Sequence, residues 1–311
     1  MNSHQVAVII PCYNEEVTIG QLVKDFKAEL PKADIYVYDN NSTDDTAVRA
    51  KEAGAIVRKE ARKGKGNVVK KMFYDIDADY YVMVDGDRTY LASEVHKLLQ
   101  PVINGEADMV VGTRLGEYSD KAFRKFHKFG NGLITALINL FFKANLKDVL
   151  SGYRVFNRKF VDTIPVISKG FEVETELTIN ALDYSMELLE VPIKYLDRPD
   201  NNPSKLNTLK DGFLILFTIV TIFKDFRPLL FFFIISSGFA VLGLLVGTPV
   251  IIEFINTGLV YKVPSAILAA ALELLSVQFI GLGLVLDTIA RNRRSQYVIE
   301  IRRRNLNKFR D

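Results

Sequence analysis

With 311 residues, the chain can form one large or two ordinary domains with a sizeable core. Lys and Arg number 40 against 37 Asp and Glu, and the resulting net charge of +3 gives no general affinity for nucleic acid. The single cysteine, Cys12, excludes an intrachain disulfide and a cysteine-cluster metal site, and His4, His96 and His127 lack metal-ligand spacing.

The opening stretch MNSHQVAVIIPCYNEE lacks a basic n-region and a small-residue cleavage pattern, so a secretory signal is not expected. Its apolar run VAVIIP ends in turn chemistry and reads as a buried strand. EEVTIGQLVKDFKAEL follows at helical spacing. DIYVYD (34–39) is a second strand, NNSTDDT a turn and helix cap, and AVRAKEAG a short helix. AIVRKE is a third strand, residues 64–77 a helix opened by glycines, DYYVMVD a fourth strand and ADMVVGT (107–113) a fifth. Strands alternating with helices predict an α/β fold, a mostly parallel sheet covered on both faces. Ligands bind such sheets beyond the carboxyl ends of the strands. Those ends collect Asn14, Glu15, Asp39, Asp85, Asp87 and Arg114.

Residues 126–143 and 209–226 are strongly apolar with charges near their ends, and read as core helices or as helices lying in a membrane interface. The interface is preferred for the second. Residues 228–252 form 25 consecutive uncharged positions, and residues 263–286 contain one charge, Glu273. Each stretch is long enough to cross a bilayer core of about 30 Å as a helix. Lys224 and Arg227 precede the first stretch, Arg291, Arg293 and Arg294 follow the second, and the loop between carries only Lys262 as a base. The positive-inside rule then expects a hairpin anchor in the cell membrane with both chain ends cytoplasmic. Glu273 reads as a packing residue between helices or subunits, and a homo-oligomer joined through the spans is expected. The tail from Arg291 to Asp311 holds eight bases and two acids; it reads as a solvated end, or as one touching anionic headgroups of membrane lipids.

The carboxylates of VDGD can be simple turn chemistry. The functional reading is that Asp85 and Asp87 hold a divalent cation, Mg2+ or Mn2+, which prefers hard oxygen ligands and bridges diphosphate oxygens. Gly86 between them would let the backbone approach a ligand closely. RKGKGN (62–67) is glycine-rich and basic without the spacing of a phosphate-cradling P-loop, and no G-x-G-x-x-G follows the first strand.

IIPCYNEEVTI, VYDNNSTDDT, GKGN, VDGD, VVGTR, DVLSGYRVF, GFEVETEL and EVPIKYLDRPDNNPSKL occur in this order. Together they resemble family-two glycosyltransferases of the GT-A (Rossmann-like) fold, in the group of dolichol-phosphate mannose synthase and the bacterial polyprenyl-phosphate glucosyltransferases. The resemblance covers residues 5–225, and the two trailing spans match the bacterial members. It implies a catalytic domain over 1–208, a juxtamembrane amphipathic helix over 209–227, a transmembrane hairpin over 228–290 with spans near 228–252 and 263–287, and a basic tail over 291–311. It also implies nucleotide contacts from Pro11, Tyr13, Asn14, Glu15 and Asp39, a nucleotide-sugar role for Lys65 of GKGN, and a metal on Asp85 and Asp87. Arg114, Arg124 and Arg154 are implied to grasp phosphates, whose geometry suits guanidinium forks. Glu176 would lie near the sugar, with Glu172 and Glu174 as solvated strand neighbours. Arg124, Arg198, Ser204 and Lys205 would meet the acceptor phosphate. Two positions depart from the family pattern: Asn40 where many relatives have a second Asp, and Thr89 where Gln is frequent. They leave a third metal ligand unassigned.

The implied reaction transfers glucose, or next N-acetylglucosamine, from a UDP-sugar to polyprenyl phosphate with inversion. A membrane anchor suits an acceptor that itself lives in the bilayer. Other readings are a non-catalytic membrane scaffold and a processive polysaccharide synthase. The latter's Gln-x-x-Arg-Trp motif cannot exist in a chain without tryptophan.

Overall fold

The run VAVIIPC forms β1 (Val6–Cys12), with Ala7 to Ile10 wholly buried. A strand apolar on both faces belongs at the centre of a covered parallel sheet, and that is where β1 lies. The computed structural model describes residues 5–114, 123–170, 172–196, 217, 220–221 and 223–308, with backbone alone at 123–129, 293–295 and 297–308. It divides into two compact units, Met1–Ile215 and Leu216–Asp311.

In the first unit, β1 is flanked by β2 (Asp34–Asp39) and β4 (Tyr80–Met83), with β3 (Ile56–Lys59) beyond β2. All of these pairings are parallel, and the register sets Cys12 opposite Asp39 and Ile9 opposite Met83. The ends of β1, β2 and β4 therefore open on one edge. Helix α1 (Ile19–Glu29) buries Ile19, Leu22, Val23 and Phe26, an i, i+3, i+4, i+7 stripe. Each such side chain contributes about 1.5–3 kcal/mol on leaving water. Helices α2 (Thr46–Glu52), α3 (Lys65–Asp75) and α4 (Val95–Ile103) complete the expected alternation.

The expected fifth strand is β5 (Met109–Arg114), but it does not neighbour β4. A short strand not foreseen in the sequence, β6 (Arg154–Asn157), enters between them and pairs antiparallel with both. Another unforeseen strand, β7 (Leu188–Ile193), runs parallel to β5 at the sheet's edge. The seven-stranded sheet, ordered β3-β2-β1-β4-β6-β5-β7, is mostly parallel as expected. Helices α5 (Phe123–Phe142), α6 (Arg158–Thr163) and α7 (Val173–Asp183) also belong to this unit.

The second unit contains α8 (Pro228–Thr257) and α9 (Val263–Lys308). Proline at the first turn of α8 loses no helical hydrogen bond, and Gly258 supplies the left-handed residue that ends it. Pro228–Thr257 and Val263–Asn292 are each long and apolar enough to cross a membrane, and only 17% of either apolar window is buried. Such helices, apolar all round, suit a hydrocarbon solvent. They pack through stacked Phe232, Phe279 and Phe239 and a hydrogen bond from Ser236 Oγ to Ser276 O of 2.9 Å. The helix that carries the second apolar stretch is longer than that stretch. It continues through the basic tail to Lys308, because residues 288–308 contain no proline or glycine to stop it.

Candidate active site

Loops leaving β1 and β2 are strapped together before they can offer anything to a ligand. Asn14, at φ 54°, takes its backbone bond from its own N–H to Ser42 Oγ (2.9 Å), while its Oδ1 accepts from Thr43 N (2.8 Å). Asparagine tolerates this left-handed backbone better than most residues. Glu15 is buried and its N–H donates to Thr46 Oγ1 at 2.8 Å, at the start of α2. Asp39 is buried as well, and its Oδ1 accepts from Ser42 N at 3.1 Å. Tyr13 is exposed beside these groups, and Pro11 is half-buried.

Asn40 is a structural clip. Its Nδ2 donates to Glu60 O (3.0 Å) and Arg62 O (2.8 Å), and its Oδ1 accepts from Gly64 N (2.7 Å). A carboxylate could not make the two donations. The amide thus fixes the 60–64 loop.

The two acids after β4 have separate supports. Gly86 was expected to admit a ligand, yet the space it leaves faces the protein: a Cβ there would lie 2.6 Å from Cys12 Sγ. Its carbonyl accepts from Thr18 Oγ1 at 2.7 Å. Gly152 does the same for Asp85, because a Cβ at 152 would fall 2.2 Å from Asp85 Oδ2. The Gly152 N–H is itself held by Tyr90 Oη at 2.9 Å. Asp87 is buried, and its Oδ1 accepts from both Thr89 Oγ1 (2.7 Å) and Thr89 N (3.1 Å). Thr89 therefore orients Asp87. Arg88 between them has φ 58°, costing about 1 kcal/mol for a residue of this shape; its guanidinium pairs with Asp25.

Lys65, at the first position of α3, reaches the same edge. The preceding glycine has φ 119°, and a Cβ on Gly64 or Gly66 would strike the carbonyls of Lys169 or Ser168. This close approach docks the loop on the segment before α7, with Gly66 N donating to Gly170 O at 3.0 Å. The buried Lys65 ammonium donates to Asp85 Oδ1 and to Glu174 Oε1. Burial alone would lower its pKa, but the flanking Asp85 and Glu174 carboxylates outweigh that and hold it above the ordinary lysine value.

Here the sequence expectation is corrected. Glu174 is no solvated strand neighbour: VETEL (173–177) opens helix α7, and Glu174 is buried against Lys65. Residues two apart on a helix point in nearly opposite directions. Glu176 accordingly turns to the 167–168 loop, accepting from Ile167 N (2.9 Å), Ser168 N (3.0 Å) and Ser168 Oγ. Glu172 likewise accepts from Lys169 N and Gly170 N. The acid of α7 that reaches the strand edge is Glu174.

The arginines divide similarly. Arg114, at the end of β5, grips Asp148 through Nε and Nη2, both at 2.7 Å, and lies 5.7 Å over the Tyr195 ring. Burial would raise the Asp148 carboxyl, but the Arg114 fork outweighs it and holds its pKa below the ordinary range. Arg154, expected to grasp phosphate, is fully buried in β6. Its guanidinium donates to Ser151 O (2.9 Å), Val149 O (2.6 Å) and Thr178 Oγ1 (2.9 Å). Burial lowers its pKa to about 10. It holds the turn carrying Gly152 and so supports Asp85 indirectly. The side chain of Arg124, and all of Arg198, Ser204 and Lys205, lie outside the described residues.

The carboxylates at this edge are hard oxygen donors of the kind that suit a divalent cation. Among the described residues no three His, Cys, Asp or Glu side chains surround one point. Mg2+ or Mn2+ nonetheless fits as a half-site, since these ions use one or two carboxylates and complete their shell with water and substrate phosphate. Asp85 and Asp87 would hold it, seated by Gly152 and Thr89.

The pattern of glycosyl transferase family 2 matches residues 7–164. The chain belongs to that family. Glycosyltransferase AglJ of Haloferax volcanii is 31% identical over 292 residues, covering 94% of this chain and 95% of that protein. The undecaprenyl-phosphate 4-deoxy-4-formamido-L-arabinose transferase of Proteus mirabilis is 24% identical, covering 93% and 89%. The dolichol-phosphate mannosyltransferase of Pyrococcus furiosus is 26% identical over 61% of this chain and 56% of its own. Among solved structures, the glucosyl-3-phosphoglycerate synthase of Mycobacterium tuberculosis with Mn2+, uridine diphosphate and phosphoglyceric acid has a TM-score of 0.60 at 22% identity. That match covers 71% of this family-2 chain and 78% of the synthase, and it confirms the GT-A fold.

Of the site residues, sequence reasoning passed over Glu174, Asp148 and Tyr90. Asp148 sits in DVLSGYRVF, where attention fell on Arg154, although an acid ahead of a buried turn is an available partner for an arginine.

Proposed function

We propose that this chain is an inverting glycosyltransferase that moves a hexose or N-acetylhexosamine from a UDP-sugar to a polyprenyl phosphate such as undecaprenyl phosphate. Glucose is the favoured sugar and N-acetylglucosamine the next. The observation that carries this reading is the delivery of Asp85 and Asp87 to the ligand edge of the sheet, in a chain that also holds two helices of spanning length. Two relatives support the acceptor, since their names specify undecaprenyl phosphate and dolichol phosphate. The Mycobacterium tuberculosis synthase, crystallised with Mn2+ and uridine diphosphate, supports the donor class. The bases flanking the spans, Lys224 and Arg227 before and Arg291, Arg293 and Arg294 after, favour a cytoplasmic catalytic unit.

Pro11, Tyr13, Asn14, Glu15 and Asp39 would receive the nucleoside, with Asp39 offering a carboxylate oxygen to the ribose hydroxyls. A Mg2+ or Mn2+ ion on Asp85 and Asp87 would offset the charge developing on the departing diphosphate. Arg114, held by Asp148, would share that work. Arg124, Arg198, Ser204 and Lys205 would hold the acceptor phosphate. Its second pKa of about 6 leaves it largely dianionic at neutral pH. Its oxygen then forms the new bond to the anomeric carbon as the bond to UDP breaks, with no proton to remove. Positioning and charge stabilisation supply the catalysis.

Purified protein in detergent, given a panel of UDP-sugars and polyprenyl phosphate, should form one lipid-linked sugar detectable by mass spectrometry. Absence of product with every donor would overturn the reading in favour of a scaffold. Asp87→Ala should lower transfer about a thousandfold while circular dichroism stays unchanged; a near wild-type rate would remove Asp87 from the mechanism.

A further inference from the structure

The Lys65 ammonium sits where it competes for one of the carboxylates assigned to the cation. It lies between Asp85 and Glu174 and touches both. It is no wandering surface lysine: its side chain is 9% exposed, and that of Glu174 is 6% exposed. Both neighbours in sequence, Gly64 and Gly66, are packed on the backbone of residues 168–169 so closely that a Cβ would not fit. Three separate elements thus hold the group: the start of α3, the end of β4 and the first turn of α7. Asp85, by contrast, keeps 30% of its side chain exposed and can turn to another partner.

A monovalent and a divalent cation cannot occupy adjacent positions on one carboxylate without strong repulsion. A nucleoside diphosphate relieves this by bringing negative charge of its own. It supplies oxygens for the divalent ion and acceptors for the displaced ammonium, while Glu174 keeps Lys65 from leaving altogether. We propose that Lys65 is an internal counter-ion that makes cation binding at Asp85 and Asp87 conditional on a bound nucleoside diphosphate. The function of the pair with Glu174 is to hold Lys65 ready to exchange Asp85 for diphosphate oxygen. The site would then bind cation and nucleotide as one unit, and neither well alone. This inference rests on the donor class in the reading above.

The test measures Mn2+ binding to the full-length protein in detergent by electron paramagnetic resonance, with and without UDP. Wild type should bind Mn2+ tightly only with UDP. Lys65→Met combined with Glu174→Gln removes the ammonium without stranding a buried carboxylate. It should raise UDP-free Mn2+ affinity about tenfold and shrink the enhancement by UDP to match. Glu174→Gln alone leaves the ammonium wholly to Asp85 and should act oppositely, weakening Mn2+ binding in the presence of UDP about threefold. A merely structural role for Lys65 would not give effects of opposite sign. If wild type binds Mn2+ with UDP but neither variant changes the coupling, the counter-ion role is overturned and the donor reading stands. If wild type binds no Mn2+ even with UDP, both fall.

Discussion

Two glycines in different units each make room for a carboxylate, and the carboxylates have different surroundings. Under Asp85, Gly152 leaves a seat that any Cβ would invade at 2.2 Å, and the acid so seated meets Lys65. Under Glu273, Gly243 leaves a similar seat, at 2.5 Å from Oε1, yet among the described residues that oxygen has no hydrogen-bond partner. The same packing device therefore says nothing by itself about function. What separates the sites is the counter-charge. The strand edge holds an ammonium and further carboxylates contributed by three elements, whereas the helix pair around Glu273 offers phenylalanines, serines and small residues.

The sharpest way to break this comparison is to fill the first seat. Gly152→Ala puts a methyl group against the Asp85 carboxylate, which must swing toward its exposed side. Misplacing a positioned group by about 1 Å can cost roughly a hundredfold in rate. We expect transfer to fall by that order, with the far-ultraviolet circular dichroism retained. Undiminished turnover would mean that the position of Asp85 is not what the reaction needs.

An effect of comparable size, on stability rather than rate, distinguishes the arginines' supports. Asp148 carries a lowered pKa because Arg114 outweighs the effect of burial. A carboxyl depressed in the folded state stabilises above its unfolded pKa of about 4, and this contribution is lost as pH falls through the folded value. Asp148→Asn should therefore lower the melting temperature at pH 7 and narrow its gap from wild type as the pH drops below about 4. A constant gap across that range would show that the pair does not supply the difference. The expected loss at neutral pH is about 3 kcal/mol, since Arg114 is left without its anion.

Much of this was legible in the chain. The parallel strands announced themselves as apolar runs ending in polar turns, and the acids after β4 stood out because the sheet's ligand edge was already located. β6 was not legible: RVFN is four residues long and follows a turn, too short for a periodic pattern. Glu174 was hidden for a different reason. Read as a strand, VETEL places Glu174 and Glu176 on one face; as a helix it separates them by about 200°, so the period decided which acid reaches Lys65 at the strand edge. The burial of Arg154 also escaped notice, because sequence does not distinguish an arginine that meets phosphate from one that holds carbonyls.

The smallest expected effect concerns the second seat. Glu273 lies within an apolar helix of spanning length, and replacing it with leucine removes no hydrogen bond at Oε1 among the described residues. Exchanging an unpaired polar group for a similar apolar volume is often neutral or stabilising, and carboxyl groups at mid-span are costly to bury. Glu273→Leu should thus leave the detergent melting temperature unchanged or raise it by a few degrees, with transfer intact. A marked fall would sharpen the comparison in the other direction. It would mean that Glu273, like Asp85, has a partner, one contributed from outside the described residues. Crosslinking of the wild type and the variant would then tell whether that partner belongs to a second copy of the chain, because only a shared contact would lose its dimer band with the mutation.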